Sequence, residues 1–234
     1  MTRTVPTDTE IRQAVADLFV ATATLDRIAR WNAVVPSDPG ISARQGQKHV
    51  TYVPSYEARE LVDFVLDIDE IIEAVGAESP RVMRILLVGY CHIMESELSP
   101  TLIWNQLRLL KGLDPSWRFT RTTQKGKVLL CKYPGEKFAE ISTLAGNVGQ
   151  SIGDIVQGLW DRRLRNAFSH SRYWLASSRV ILSGDLSPIS REGNPGSAAG
   201  SYSLPELREY YRGSRTFLLE VASAHGAVLK ALNQ

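Results

Sequence analysis

The sequence predicts an all-α fold: an up-and-down helical bundle carrying short β-hairpin or extended insertions. Three observations predict it. Apolar residues recur every three or four positions over most of the chain, the period of one helix face. Ser-Pro pairs at Ser79-Pro80 and Ser99-Pro100 each place a capping residue before a proline, a helix start signal. Strand-like alternation is confined to brief segments between the helical runs. The 234 residues are 44% hydrophobic, enough for a substantial core, and residues 1–234 read as a single helical domain.

The first helix starts at a cap on Thr7 or Thr9 and runs to about Trp31. Ile11, Val15, Leu18, Phe19, Leu25 and Ile28 form its apolar stripe, and Thr22 adds a methyl group. Pro36 to Pro54 reads as a loop, with KHVTYV as a short strand. Ala58 to Val75 is a second helix, with Leu61, Phe64, Val65, Ile68, Ile71 and Ile72 inward. Ser79-Pro80 opens a third, RVMRILLVGYCHIMESEL, buried through its middle, and Ser99-Pro100 opens a fourth. Phe119 to Tyr133 reads as a β-hairpin turning at Lys125-Gly126.

A long helical pattern follows from Glu136 to Ser169. Its stripe runs through Ile141, Leu144, Val148, Ile152, Ile155, Val156, Leu159 and Trp160. Gly146, Gly149, Gly153 and Gly158 interrupt it, permitting close packing, a kink or a break near Gly146. YWLASSRVILSG is then extended, Pro188 to Ser203 reads as a loop, and Leu204 to Leu232 closes the chain as a helix that Gly213 could bend. The insertions thus fall near 36–54, 119–133 and 173–203.

Composition excludes several functions. Lys and Arg number 27 against 25 Asp and Glu, a formal charge of +2, whereas a dedicated duplex-DNA binder is usually more basic. The two cysteines, Cys91 and Cys131, sit in apolar contexts and read as core thiols rather than disulfide or zinc partners. The first residues do not form a secretory signal, and no run approaches the ~18 apolar residues of a membrane span. The expectation is a cytoplasmic protein without a membrane segment. No Gly-rich phosphate loop, HExxH or serine elbow is present, and the reading calls for no metal and no cofactor.

Chemistry concentrates at Arg165–His170. The chain has four histidines, and His170 lies beside its densest arginines: Arg162, Arg163, Arg165 and Arg172 fall within eleven residues. Residues four apart share a helix face, so a continuous helix sets Asn166 below His170 and Asp161 below Arg165. The first pairing would orient the imidazole; the second would hold the guanidinium. Histidine as a residue type exchanges protons near neutrality, and a guanidinium forks onto phosphate. The same residues also fit a plain helix end, since histidine caps helix carbonyls and arginines favour solvent.

The stretch RRLRNAFSHS resembles the signature of the HEPN superfamily (higher eukaryotes and prokaryotes nucleotide-binding domains): Arg, four intervening residues, then His, with Asn often directly after the Arg. Arg165, Asn166 and His170 occupy those positions. The setting is similar too, near the end of a late bundle helix followed by a closing helix. The motif covers about ten residues, and the helical resemblance is loose over the rest.

The resemblance implies a homodimer whose two motifs form one composite site. In many relatives that site cleaves RNA without a metal, leaving a 2′,3′-cyclic phosphate and a 5′-hydroxyl. His170 would act as base or acid, Arg165 would stabilise phosphoryl charge, and Asn166 would orient His170 or touch phosphate. Arg162, Arg163, Ser169, Arg172 and Tyr173 would bind substrate around them. It further implies a toxin or phage-defence role, with an antitoxin or nucleotidyltransferase as a possible partner. Some relatives paired with a nucleotidyltransferase antitoxin are modified on a tyrosine two residues after the histidine. Here Arg172 holds that position and Tyr173 follows. Other members of the superfamily are non-catalytic modules that bind RNA, a nucleotide or a protein.

Elsewhere the signals are weaker. His92 and Glu95 lie one turn apart but make an incomplete metal pair, and His92 reads as a core histidine; Glu95 and Glu97 could line a cleft. His49 and His225 have no ligand constellation. Tyr202, Tyr210 and Tyr211, beside Arg208, Arg212 and Arg215, read as a solvated face or as a base-stacking platform.

Overall fold

The computed structural model describes residues 4–23, 54–76, 79–116, 118–176, 179–182 and 200–232. Among them the protein is a mostly helical bundle with two small antiparallel sheets. In chain order the elements are α1 (Asp8–Thr22), α2 (Pro54–Val75), α3 (Pro80–Glu95), α4 (Leu98–Leu110), β1 (Thr120–Thr122), β2 (Val128–Leu130), α5 (Pro134–Asn147), α6 (Ile152–Leu159), α7 (Arg162–Ser169), β3 (Tyr173–Ala176), β4 (Arg179–Leu182), β5 (Gly200–Ser203) and α8 (Leu204–Leu232).

Local chemistry sets the helix starts. Thr7 caps α1 in a capping box: its Oγ1 accepts from Glu10 N at 3.3 Å, and its own N–H donates to Glu10 Oε2 at 2.7 Å. Ser203 and Glu206 repeat the arrangement at the start of α8. Ser79 caps α3 as its Ser-Pro pair predicts. The fourth helix instead begins at Leu98, one residue ahead of Ser99, which is buried in the first turn.

α8 is the central strut, packing against α1, α2, α3 and α4. Leu18, Leu87, Leu102, Phe217 and Leu218 are all nearly or fully buried at this junction. Each such burial contributes about 1.5–3 kcal/mol. Gly89 of α3 lets α8 approach: a Cβ there would sit 2.6 Å from the ring of Tyr211. Tyr202, Tyr210 and Tyr211 are therefore core residues, buried against these helices. That corrects both readings of them, as stacking platform and as solvated face.

The hairpin pairs Thr120 with Leu130 and Thr122 with Val128, its turn carrying Gly126 at φ 76°. Residues 200–203, expected as loop, form the third strand of a sheet ordered β3-β4-β5, with Val180 opposite both Leu175 and Tyr202. Ile71, expected inward, is exposed. The predicted strand KHVTYV and the end of the first helix, residues 24–31, lie outside the described residues. No described helix is long and apolar enough to cross a membrane.

The helix predicted from Glu136 to Ser169 is three helices. The first break follows Asn147, where Gly149 takes φ 69°. α6 then folds back on α5, with Gly153 against the backbone of Ser142. The second break was not expected. Trp160 and Asp161 leave helical geometry, and α7 restarts at Arg162. Tertiary hydrogen bonds make this break. The Tyr90 hydroxyl of α3 donates to Leu159 O at 3.0 Å and accepts from Asp161 N at 2.8 Å, taking up groups that a continuous helix would pair internally.

Candidate functional site

Asp161 sets where the site begins. It caps α7, accepting from Arg163 N at 2.8 Å and Leu164 N at 3.1 Å. Its carboxylate also accepts from the hydroxyls of Tyr202 and Tyr210. Burial, then the bond to Asp161, pushes the Tyr202 phenol up, so it remains a donor. Arg163 NH2 lies 3.2 Å from the Tyr202 hydroxyl and 3.8 Å from Asp161 Oδ2. Asp161 was expected to hold Arg165 across a helical turn. It holds Arg163 instead, because the chain breaks there and the carboxylate turns inward.

Arg165 finds its anion on another helix. Its Nε donates to Glu95 Oε1 at 2.6 Å, and Ser169 Oγ donates to the same oxygen at 3.0 Å. Arg165 and Ser169 share a face of α7, so this face seats on the end of α3. Glu95 is the last residue of α3, where the helix dipole disfavours a carboxylate and the guanidinium offsets it. Arg165 NH1 also donates to Asn166 Oδ1 at 3.2 Å. These bonds use two of the five guanidinium donors, and the others have no partner among the described residues.

His170 stands at the exposed C-terminal end of α7. Its ring has no hydrogen-bond partner among the described residues. Its backbone N–H donates to Asn166 O at 3.1 Å, but the side chain of Asn166 turns to Arg165, so the expected orientation of the imidazole by that amide is not present. Beyond His170 the chain closes a Schellman turn: Ser171 N–H donates to Phe168 O at 3.0 Å and Arg172 N–H to Ala167 O at 2.7 Å. Ser171 takes φ 52° here, the one non-glycine residue with positive φ among the described residues. This turn fixes where His170 leaves the helix.

The structure places the remaining expected residues around this helix. Arg162 and Arg172 are exposed, while Tyr173 is half-buried, its ring 6.3 Å from that of Phe168. Cys91 and Cys131 are buried free thiols, as expected. Burial and then Glu95 push the Cys91 thiol up, against the pull of Arg165, which leaves it a poor nucleophile. His92, expected in the core, is exposed. Arg81, Arg84, Val88, His92 and Glu95 form the outward stripe of α3, three or four residues apart. Among the described residues the buried histidine is His225, 2% exposed. Among the described residues no three His, Cys, Asp or Glu side chains gather as a metal-binding group.

No family model, curated protein or solved structure matches this chain. The fold and the side-chain geometry carry the functional argument.

Proposed function

We propose that this protein is a metal-independent endoribonuclease of toxin or phage-defence type, acting in the cytoplasm. One observation carries the reading: a single short helix presents an anchored Arg165, the Asn166 amide and an exposed His170 ring together. In the proposed reaction His170 takes the proton from a ribose 2′-hydroxyl. The oxygen attacks the adjacent phosphorus and the bond to the 5′-oxygen breaks. A second His170, from a partner subunit, returns a proton to that oxygen. The products are a 2′,3′-cyclic phosphate and a 5′-hydroxyl. The unused donors of Arg165 stabilise charge on the phosphoryl oxygens. Arg162, Arg163 and Arg172 hold flanking backbone, with Ser169 and Tyr173 beside them. Because one protomer supplies one histidine to this site, the proposal includes a homodimer. An antitoxin or nucleotidyltransferase partner would dock over Arg172 and Tyr173.

The test is incubation of a mixed tRNA and mRNA pool with the protein in EDTA. Wild type cleaves and His170→Ala does not. Intact RNA in both, at concentrations where the protein is dimeric, counts against the reading. One observation favours a second reading, a non-catalytic module that binds RNA, a nucleotide or a protein. Glu95 already balances the charge of Arg165, and a neutralised guanidinium suits a structural tie as well as a phosphate clamp.

A further inference from the structure

Glu95 faces two ways. Its Oε1 takes Arg165 and Ser169, while Oε2 has no partner among the described residues. The same residue lines a cavity of about 410 Å³ with Glu60, Leu61, Phe64, His92 and Ser96. This lies within the roughly 300–1,000 Å³ range of small-ligand sites. Leu61 is buried, and the rings of Phe64 and His92 stand 4.3 Å apart, tilted by 50°. They make an aromatic wall of the kind on which a base stacks. Two of the four polar side chains, Glu60 and Glu95, carry carboxyl groups; His92 and Ser96 can both donate and accept. Glu60 has no hydrogen-bond partner among the described residues, and Ser96 Oγ is covered without one. Glu60, His92 and Glu95 do not gather as a metal-binding group.

We infer that this cavity is a nucleobase subsite selecting guanine beside the phosphate held at Arg165. A carboxylate matches adjacent N–H donors, and guanine alone among the four bases offers a ring N–H next to an amino group on its pairing edge. Uracil offers one ring N–H between two carbonyl oxygens, and cytosine and adenine each offer one amino group beside an unprotonated ring nitrogen, so none of the three meets a carboxylate with two adjacent donor groups. Leu61 and Phe64 give the ring an apolar floor, and Glu95 couples the subsite to the phosphate site through Arg165. The substrate class rests on the ribonuclease reading; the base preference is testable without it.

The experiment has two arms. In the first, the 3′-monophosphates of guanosine, adenosine, cytidine and uridine are titrated onto the wild-type protein and Glu60→Gln, a substitution at an exposed residue. Guanosine monophosphate binds wild type at least about tenfold tighter than uridine monophosphate, and Glu60→Gln narrows that ratio severalfold with its melting temperature unchanged. Equal binding of the four nucleotides, or a guanosine preference that Glu60→Gln leaves intact, overturns the subsite. In the second arm, cut positions are mapped for wild type. Cuts next to guanosine support the subsite, and cuts without base preference overturn it while leaving the ribonuclease reading standing. Absence of any cleavage overturns the ribonuclease reading alone, and the binding ratio then decides the subsite.

Discussion

Arg165 and Glu95 lie seventy residues apart in sequence and 2.6 Å apart in space. The pair ties α7 to the end of α3 and sets the direction of the guanidinium before any ligand arrives. Both side chains are partly exposed, so the tie is worth at most about 1 kcal/mol of stability. Its larger effect is on orientation. On an RNA without guanosine, where the base contact proposed for Glu95 plays no part, Glu95→Ala is expected to bind as tightly as wild type or tighter, because a negative charge is gone. Its cleavage rate should drop by about tenfold or more, because the guanidinium loses its fixed direction. Parallel affinity and single-turnover measurements check this. Equal losses in both on that RNA would mean that Glu95 acts on binding and not on the direction of the guanidinium.

Asp161 concentrates more hydrogen bonds than any other side chain near the motif. Asp161→Ala removes a helix cap, worth about 0.5–2 kcal/mol. It also takes the acceptor from the buried Tyr202 hydroxyl, whose proton is then unpaired at roughly 1–3 kcal/mol, and one hydrogen bond from Tyr210. The expected loss is about 3 kcal/mol or more in chemical denaturation. Asp161→Asn keeps the cap oxygen and should lose less. A loss below about 1 kcal/mol for the alanine variant would contradict the role given to this carboxylate.

Ser171 holds a left-handed backbone conformation that costs a residue with a Cβ roughly 1–2 kcal/mol. Ser171→Gly should raise the melting temperature by about 2–4 °C. A decrease would mean that the Schellman turn after His170 is not formed in solution.

Burial pushes the His225 imidazole down to about 4 from an ordinary 6.5. Below that ordinary value the unfolded chain takes up a proton that the folded chain refuses. Stability from this group is therefore complete above about pH 6.5 and is lost as the pH falls toward 4, by about 3 kcal/mol in all. Melting temperatures between these limits should fall with pH in wild type and fall less steeply in His225→Leu. Parallel slopes would remove His225 as the cause.

The helices were largely legible because apolar period and caps are local signals. Thr7 with Glu10, and Ser79 with Pro80, act over three residues or fewer. The break at Trp160 and Asp161 was masked by the apolar stripe running through it. Asp161 before Arg162 is a readable cap, but the bond that opens the helix comes from Tyr90, seventy-one residues earlier. The Arg165 partner was hidden for the same reason: a pairing between helices leaves no local pattern. His92 was misread from its apolar neighbours. Adjacent residues on a helix point about 100° apart, so Cys91 and Ile93 face the core while His92 faces out. Strand β5 was read as loop because Gly200 and two serines carry little strand propensity; pairing with β4 decides its conformation.

The most direct test of the proposed chemistry is the identity of the ends left on one labelled RNA by wild type and His170→Ala, with EDTA present. The account predicts that wild type leaves 2′,3′-cyclic phosphate and 5′-hydroxyl ends and that His170→Ala leaves the RNA intact. Cleavage to 3′-hydroxyl and 5′-phosphate ends, or cleavage that persists in His170→Ala, would contradict it.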